Sequence, residues 1–280
     1  MTAPGACGLF ITGTDTGVGK TYVTALIART LAAAGRRVGV YKPAASGCRR
    51  GGGQLVSDDA AALWEAAGRP GELDWVCPQR FEAPLAPHLA AHAEGKRLDP
   101  ELLRSGLDRW LPQSEIVLVE GAGGLMSPLG DEEYVADLAR DFGFPLVIVS
   151  RNVLGTINAT LQTLIAAAAL GEGLPVAGLV LNHPSPPLPE DLSVATNRRE
   201  LAMRCVAPVL GELTYGARQW DATVDWFALA RRRGHAAKRL PGGSRIAGES
   251  RVAGKSRIAG VIVEKPPDCV GAFGRREPPR

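Results

Sequence analysis

A short apolar run at residues 9–12 leads into the loop Gly13-Thr14-Asp15-Thr16-Gly17-Val18-Gly19, and Lys20-Thr21 then opens a stretch rich in alanine and leucine. An apolar strand, a glycine-bearing turn and a helix that starts at Gly-Lys-Thr are the sequence form of a phosphate-binding loop. The physical demand explains the residue types. Backbone N–H groups must wrap an anion with no side chain intervening, which Gly17 and Gly19 allow, and the positive helix end at Lys20 supports the charge. Lys20 is then placed to neutralise the outer phosphates of a nucleoside triphosphate, and the Thr21 hydroxyl to ligate magnesium. The spacing departs from Gly-x4-Gly-Lys-Thr, because Gly13 lies one residue early and Thr14 holds the place of the first glycine.

The rest of the chain up to residue 211 alternates short apolar runs with helical patterns. Candidate strands fall at 9–12, 38–41, 116–119, 146–149, 176–181 and 208–210, and candidate helices at 20–34, from Asp99-Pro100 onward, and at 156–170. Gly35 and Gly171 stop two of these helices, while Asp99 followed by Pro100 is a helix start. The pattern predicts a P-loop NTPase-like, doubly wound α/β fold with a mostly parallel sheet flanked by helices. Ligands of such sheets sit at the carboxyl ends of the strands, which directs the search to residues that follow strands.

Charge divides the chain. The net charge of +3 hides an acidic body and a basic end, since residues 231–280 carry 13 Lys and Arg against four acids. That end also holds a six-residue repeat, Ser-Arg-Ile/Val-Ala-Gly, beginning at Ser244, Ser250 and Ser256. Three short copies are too few for a solenoid, and no aromatic interleaves the charges as single-strand stacking requires. The expected organisation is a P-loop domain over 1–220 and a flexible basic tail over 221–280, with no nucleic acid and no membrane as partner. Cys7, Cys48, Cys77, Cys205 and Cys269 are scattered with no Cys-x-x-Cys pair, and no signal-like segment precedes the first strand. A cytoplasmic location is expected.

A phosphate loop is half of a phosphoryl-transfer site, which also needs acids for a metal and positive charge on the moving phosphate. Tyr41-Lys42-Pro43-Ala44-Ala45-Ser46-Gly47 places a lysine just after a strand and a serine four residues on. Ser57-Asp58-Asp59 brings acids to a helix start, where capping is an equally good use for them. Glu120 ends the apolar run 116–119 and is followed by Gly121-Ala122-Gly123-Gly124. A buried strand gains nothing from a charge there, so Glu120 reads as the metal-side acid.

At these residues the chain resembles the dethiobiotin synthetases. The resemblance spans about 8–215 and rests on Gly-Thr-Asp-Thr-x-Val-Gly-Lys-Thr at 13–21, Tyr-Lys-Pro-x-Ala-Ser-Gly at 41–47 and Val-Glu-Gly-Ala-Gly-Gly at 119–124. Pro87-His88, Leu154-Gly155-x-Ile157-Asn158, Gly178-x-Val180-x-Asn182 and Leu210-Gly211-Glu212 support it. It implies a cytoplasmic homodimer that converts 7,8-diaminononanoate, CO2 and ATP to dethiobiotin, ADP and phosphate, with magnesium. By the same resemblance, Lys20 and Lys42 are the catalytic cations, Thr16 and Ser46 hold a carbamate, and Thr21, Asp59 and Glu120 hold the metal. The nucleotide is expected along Gly17, Val18, Gly19, Lys20, Thr21 and Tyr22, at Asp59, and along Glu120, Gly121, Ala122 and Gly123. Its base is expected at Asn182, His183, Thr214, Tyr215 and Gly216. Gly155 and Asn158 are implied to meet the substrate carboxylate of a neighbouring subunit. Two positions depart from the family: Ala159 replaces a histidine, and His183 replaces the aspartate of an Asn-Asp pair.

Two rivals share the fold. Nucleotide-dependent switches of the septum-placement or partition type carry a lysine where this chain has Asp15, and they lack the stretch around Lys42. Amide-forming synthases acting on corrinoid precursors usually bear a further glutamine-hydrolysing domain, for which too little ordered chain is expected after Leu210.

Overall fold

A computed structural model describes residues 6–231, and beyond them only the backbone of 257–258 and 261–262. Six strands form one sheet: β1 (Cys7–Gly13), β2 (Val38–Tyr41), β3 (Ile116–Gly124), β4 (Leu146–Arg151), β5 (Val176–Asn182) and β6 (Val209–Leu213). Their order is β6-β5-β4-β1-β3-β2, and every neighbouring pair is parallel. All six expected strands are present. Several run on past their apolar stretch, because pairing continues where burial no longer demands apolar residues. Thus β3 reaches Gly124, which lies opposite Gly13 of β1.

Consecutive residues Leu9, Phe10 and Ile11 are all fully buried, as are Val147, Ile148 and Val149. Burial without alternation means that both faces of the sheet are covered, which a parallel sheet requires. The order reverses at β1, with β3 and β2 on one side and β4, β5 and β6 on the other. The loops after β1, β3 and β4 therefore converge at the crevice where a doubly wound sheet takes its ligand.

Helix starts follow local chemistry. Helix α1 (Lys20–Ala33) begins after Gly19, whose φ of 89° lies in the left-handed region, and no side chain caps it. Its first N–H groups are thus left for another acceptor. By contrast α2 (Asp58–Ala66) is capped by Ser57, whose hydroxyl accepts from the Ala60 N–H at 3.2 Å. Asp99 accepts from the Glu101 and Leu102 N–H groups and starts the helix Pro100–Ser105 as expected. Helix α3 (Thr156–Ala169) starts after Gly155, again with no side-chain cap.

The folded body continues past residue 220. Helix α4 (Trp226–Ala230) packs on β1 and α1 and buries Trp226, Leu229 and Ala230. The chain divides into two compact units, 1–238 and 239–280. In the second, Arg257–Ile258 and Val261–Ile262 pair antiparallel. The rest of the basic segment and its repeats lie outside the described residues. Among the described residues no helix is long and apolar enough to cross a membrane.

Candidate active site

The loop after β1 is shaped by backbone constraints. A Cβ on Gly13 would stand 2.8 Å from both the Asp15 carbonyl oxygen and Val18 Cγ2, so the early glycine is needed for the loop to fold back on itself. Gly17 and Gly19 adopt left-handed φ values of 72° and 89°. A Cβ on Gly19 would also fall 2.1 Å from Asn182 Nδ2. Lys20 Nζ donates to the Asp15 carbonyl at 3.2 Å, spanning the mouth of the loop.

Beside the loop lies a buried cluster of charge. Glu120 is fully buried on β3, and its Oε1 accepts from Lys42 Nζ at 2.5 Å and from the Thr21 hydroxyl at 2.8 Å. Lys42 Nζ also meets Asp59 Oδ2 at 2.9 Å. Residues from β3, from the end of β2 and from the starts of α1 and α2 thus share one centre. Ser57 takes the capping role at α2, which frees Asp59 to face Lys42, so the two uses weighed for this segment fall to different residues. Burial acts to lower the pKa of Lys42, but the carboxylates of Glu120 and Asp59 outweigh it and hold the ammonium above the ordinary lysine value. For Lys20 burial prevails, helped by the nearby Lys42 charge, and its pKa falls. Burial would raise Asp59, yet the Lys42 ammonium pulls its carboxyl below the ordinary value.

The donors present fit a magnesium ion. Glu120 Oε2 is buried with no hydrogen-bond partner, and with Asp59 and the Thr21 hydroxyl it makes a set of hard oxygen atoms. Two carboxylates and a hydroxyl are too few for a closed cage. They suit an ion whose remaining ligands are water and phosphate oxygens, as magnesium in nucleotide sites usually has.

The second half of the site lies across β1. Asn182, the last residue of β5, is buried and donates from Nδ2 to the Val18 carbonyl at 2.8 Å, while its Oδ1 has no partner. The end of β5 is therefore against the loop, not remote from it. His183 Nε2 lies 3.1 Å from Glu212 Oε1 and 3.2 Å from Asn152 Nδ2, and Asn197 donates to Asn152 Oδ1 at 2.8 Å. The turn Thr214-Tyr215-Gly216 follows β6 and is exposed, and the Tyr22 hydroxyl donates to the next carbonyl, that of Ala217. The glycine-rich end of β3, residues 121–124, packs on the loop as well. A Cβ on Gly121 would press on Phe10 and Val135, and one on Gly123 would meet Ser127 and approach Thr16.

Not every expected residue joins this assembly within one chain. Ser46 is half-buried beside Ala44–Ala45, and no hydrogen bond links it to the lysine–glutamate cluster among the described residues. Gly155 and Asn158 are exposed at the start of α3, likewise without such a link. Two participants escaped the sequence reading. Arg151 donates to the Gly17 carbonyl at 3.1 Å, and Asn152 anchors the network around His183. Their only sequence signal was a polar pair directly after an apolar run, which many loops share.

A fully parallel doubly wound sheet whose switch point carries a glycine loop, a lysine and a buried acid defines a P-loop nucleotide-binding protein. A family model described as an AAA domain matches residues 7–218. The ATP-dependent dethiobiotin synthetase of Rhodopirellula baltica is 43% identical over 215 residues, covering 73% of this chain and 82% of that protein. Those of Aromatoleum aromaticum and Bacillus subtilis are 36% and 38% identical, covering 86% and 73% of this chain and 100% and 85% of theirs. Among solved structures, the signal recognition particle receptor FtsY of Elizabethkingia anophelis shows a TM-score of 0.49 at 14% identity, over 82% of this chain and 65% of that one. The chain belongs to the ATP-dependent dethiobiotin synthetase family.

Proposed function

We propose that this chain closes the cyclic urea of dethiobiotin from 7,8-diaminononanoate and CO2 at the expense of ATP. The observation that carries the reading is the Lys42–Glu120–Asp59–Thr21 cluster beside the phosphate loop. One amine of the substrate takes up CO2 to form a carbamate and releases a proton. The carbamate oxygen attacks the γ-phosphorus and ADP leaves. The second amine then attacks the carbonyl carbon of the mixed anhydride, expelling phosphate.

The first transfer brings one anion onto another, so fixed positive charge must cancel their repulsion. Lys20 and Lys42 supply it, and both are held in place before substrate arrives, by the Asp15 carbonyl and by Glu120 with Asp59. Thr16, beside Gly123 at the end of β3, and Ser46 are assigned to the carbamate. The backbone of 17–22 and 120–123 lies along the triphosphate. Asn182 Oδ1, buried and unpartnered, is assigned to accept from the exocyclic amine of adenine, with His183 and the turn 214–216 closing that end. Bound magnesium, held by Thr21, Asp59 and Glu120, supplies charge neutralisation on the phosphates.

The substrate carboxylate is assigned to Gly155 and Asn158 of a second copy. Helix α3 supports this, since it turns threonines inward and leaves Ile165 67% exposed, with Leu154 just before it at 81%. An apolar surface of this kind suits a homodimer interface. Mass detection of dethiobiotin after incubation with diamine, bicarbonate and ATP-magnesium tests the reading. Product formation should require all three, whereas equal ATP hydrolysis with and without diamine would point to a switch ATPase.

A further inference from the structure

We propose that Arg151 is a positioning residue for the nucleotide: from the end of β4, and together with Asn182, it clamps the phosphate loop in its anion-binding shape. Arg151 and Asn182 are the last residues of β4 and β5, and they stand opposite each other in the parallel register. Side chains alternate along a strand, so residues paired in this way leave the same face of the sheet. Here that is the face of the phosphate loop. Arg151 Nη2 donates to the Gly17 carbonyl at 3.1 Å, and Asn182 Nδ2 to the Val18 carbonyl at 2.8 Å. Two side chains thus take two consecutive carbonyls.

The glycines of the loop leave room for both donors. A Cβ on Gly17 would lie 3.3 Å from Arg151 Nη2, tighter than ordinary van der Waals contact, and one on Gly19 would collide with Asn182 Nδ2. The Gly17 carbonyl shares its peptide unit with the Val18 N–H, and the Val18 carbonyl with the Gly19 N–H. Neither N–H has an acceptor among the described residues. A hydrogen bond at the carbonyl polarises the peptide and strengthens its N–H as a donor, and a guanidinium does so more than a neutral amide. The Thr14 N–H donates to the Val149 carbonyl at 3.0 Å, and Lys20 holds the Asp15 carbonyl, so β4, β5 and α1 all fix the loop before nucleotide arrives. Preorganisation of this kind strengthens the hold on phosphates in ground and transition states alike, and it is read in KM. Lys20 and Lys42, in contrast, act on the transferred group.

The role rests on the ATP-dependent reaction proposed for this chain, and titration calorimetry on the full chain tells the two apart. The unaltered chain should bind ATP-magnesium and ADP-magnesium saturably; if it binds neither, the proposed reaction and the clamp fall together. Arg151→Met should weaken both nucleotides by a similar factor, at least about tenfold, and raise KM for ATP to match, with kcat within about threefold. Arg151→Lys, which keeps a charged donor, should recover most of the affinity. Arg151→Ala serves if Arg151→Met does not fold. In 1H–15N spectra of chains saturated with ADP-magnesium, loss of Arg151 should move the Val18 amide nitrogen signal more than that of Gly19, and Asn182→Ala should do the reverse. With the unaltered chain binding both nucleotides, the clamp alone is overturned by unchanged affinity of Arg151→Met, a loss confined to ATP, a fall in kcat in place of a rise in KM, no recovery by Arg151→Lys, or a Val18 signal that stays in place.

Discussion

The two ends of the candidate site, on opposite sides of β1, are made polar by different means. On the side of β3 and β2, full charges are buried and neutralise one another: Lys42 against Glu120 and Asp59. On the side of β4, β5 and β6, the buried groups are mostly amides and a histidine, in the network of Asn152, Asn182, His183 and Asn197 with Glu212. Charges can wait in a low-dielectric interior only when paired, since desolvation of each ion costs several kcal/mol. Partners must then be exchanged when an anionic substrate arrives. Neutral groups need no such exchange and can recognise a base by geometry alone.

This contrast predicts a gradient of effects. Lys42→Ala should lower diamine-dependent ADP production by at least about 100-fold while nucleotide still binds, as seen by isothermal titration. It should also destabilise the fold by about 3–5 kcal/mol in denaturant titration, because Glu120 is left buried without its ion partner and with only the Thr21 hydroxyl bonded to it. Adding Glu120→Gln should restore much of that stability and none of the turnover; additive losses would show that the pair is not energetically coupled.

Next in size is Gly19→Ala. The left-handed φ and the clash with Asn182 strain the loop from both halves, so roughly 1–3 kcal/mol of stability should go, together with measurable ATP binding. Asn182→Ala should be gentler and confined to the uncharged end. We expect KM for ATP to rise about tenfold with kcat within a few-fold. A kcat loss as large as that of Lys42→Ala would erase the distinction between the two ends.

The acid limb of stability gives a smaller signal. Asp59 has its carboxyl pKa below the ordinary 3.8 in the folded chain, so the unfolded chain binds more protons in that window. Its contribution is full above pH 3.8 and is lost as pH falls through the folded value. Asp59→Asn should therefore flatten the fall of unfolding free energy below that pH, and a slope equal to that of the unaltered chain would show that Lys42 does not hold this carboxylate. The smallest effect is expected from deleting 239–280, the second compact unit, which should leave turnover within a few-fold.

How much of this was legible in the chain differed between the same two ends. The lysine–glutamate end announced itself, because a charge at the close of an apolar strand and a Gly-Lys-Thr at a helix start are local exceptions to burial and propensity. The amide end was less visible. Asn182 stood out only by position, and Arg151 and Asn152 look like any polar loop until β4 is seen beside β1. The division of labour between Ser57 and Asp59 was also undecided, since capping and ion pairing ask for the same residue types. The extension of the body through Trp226 was hidden because helix α4 is only five residues long, too short to show a helical period.

Sequence alone determined the six strands, the fold class and the chemistry of the loop, because apolar runs, glycine freedom and helix ends are set by interactions between near neighbours. Tertiary structure decided which distant residues meet. It joined Lys42, Asp59 and Glu120 into one ion cluster and set Asn182 against Gly19. Those juxtapositions depend on strand order and crossover path, which no local pattern encodes.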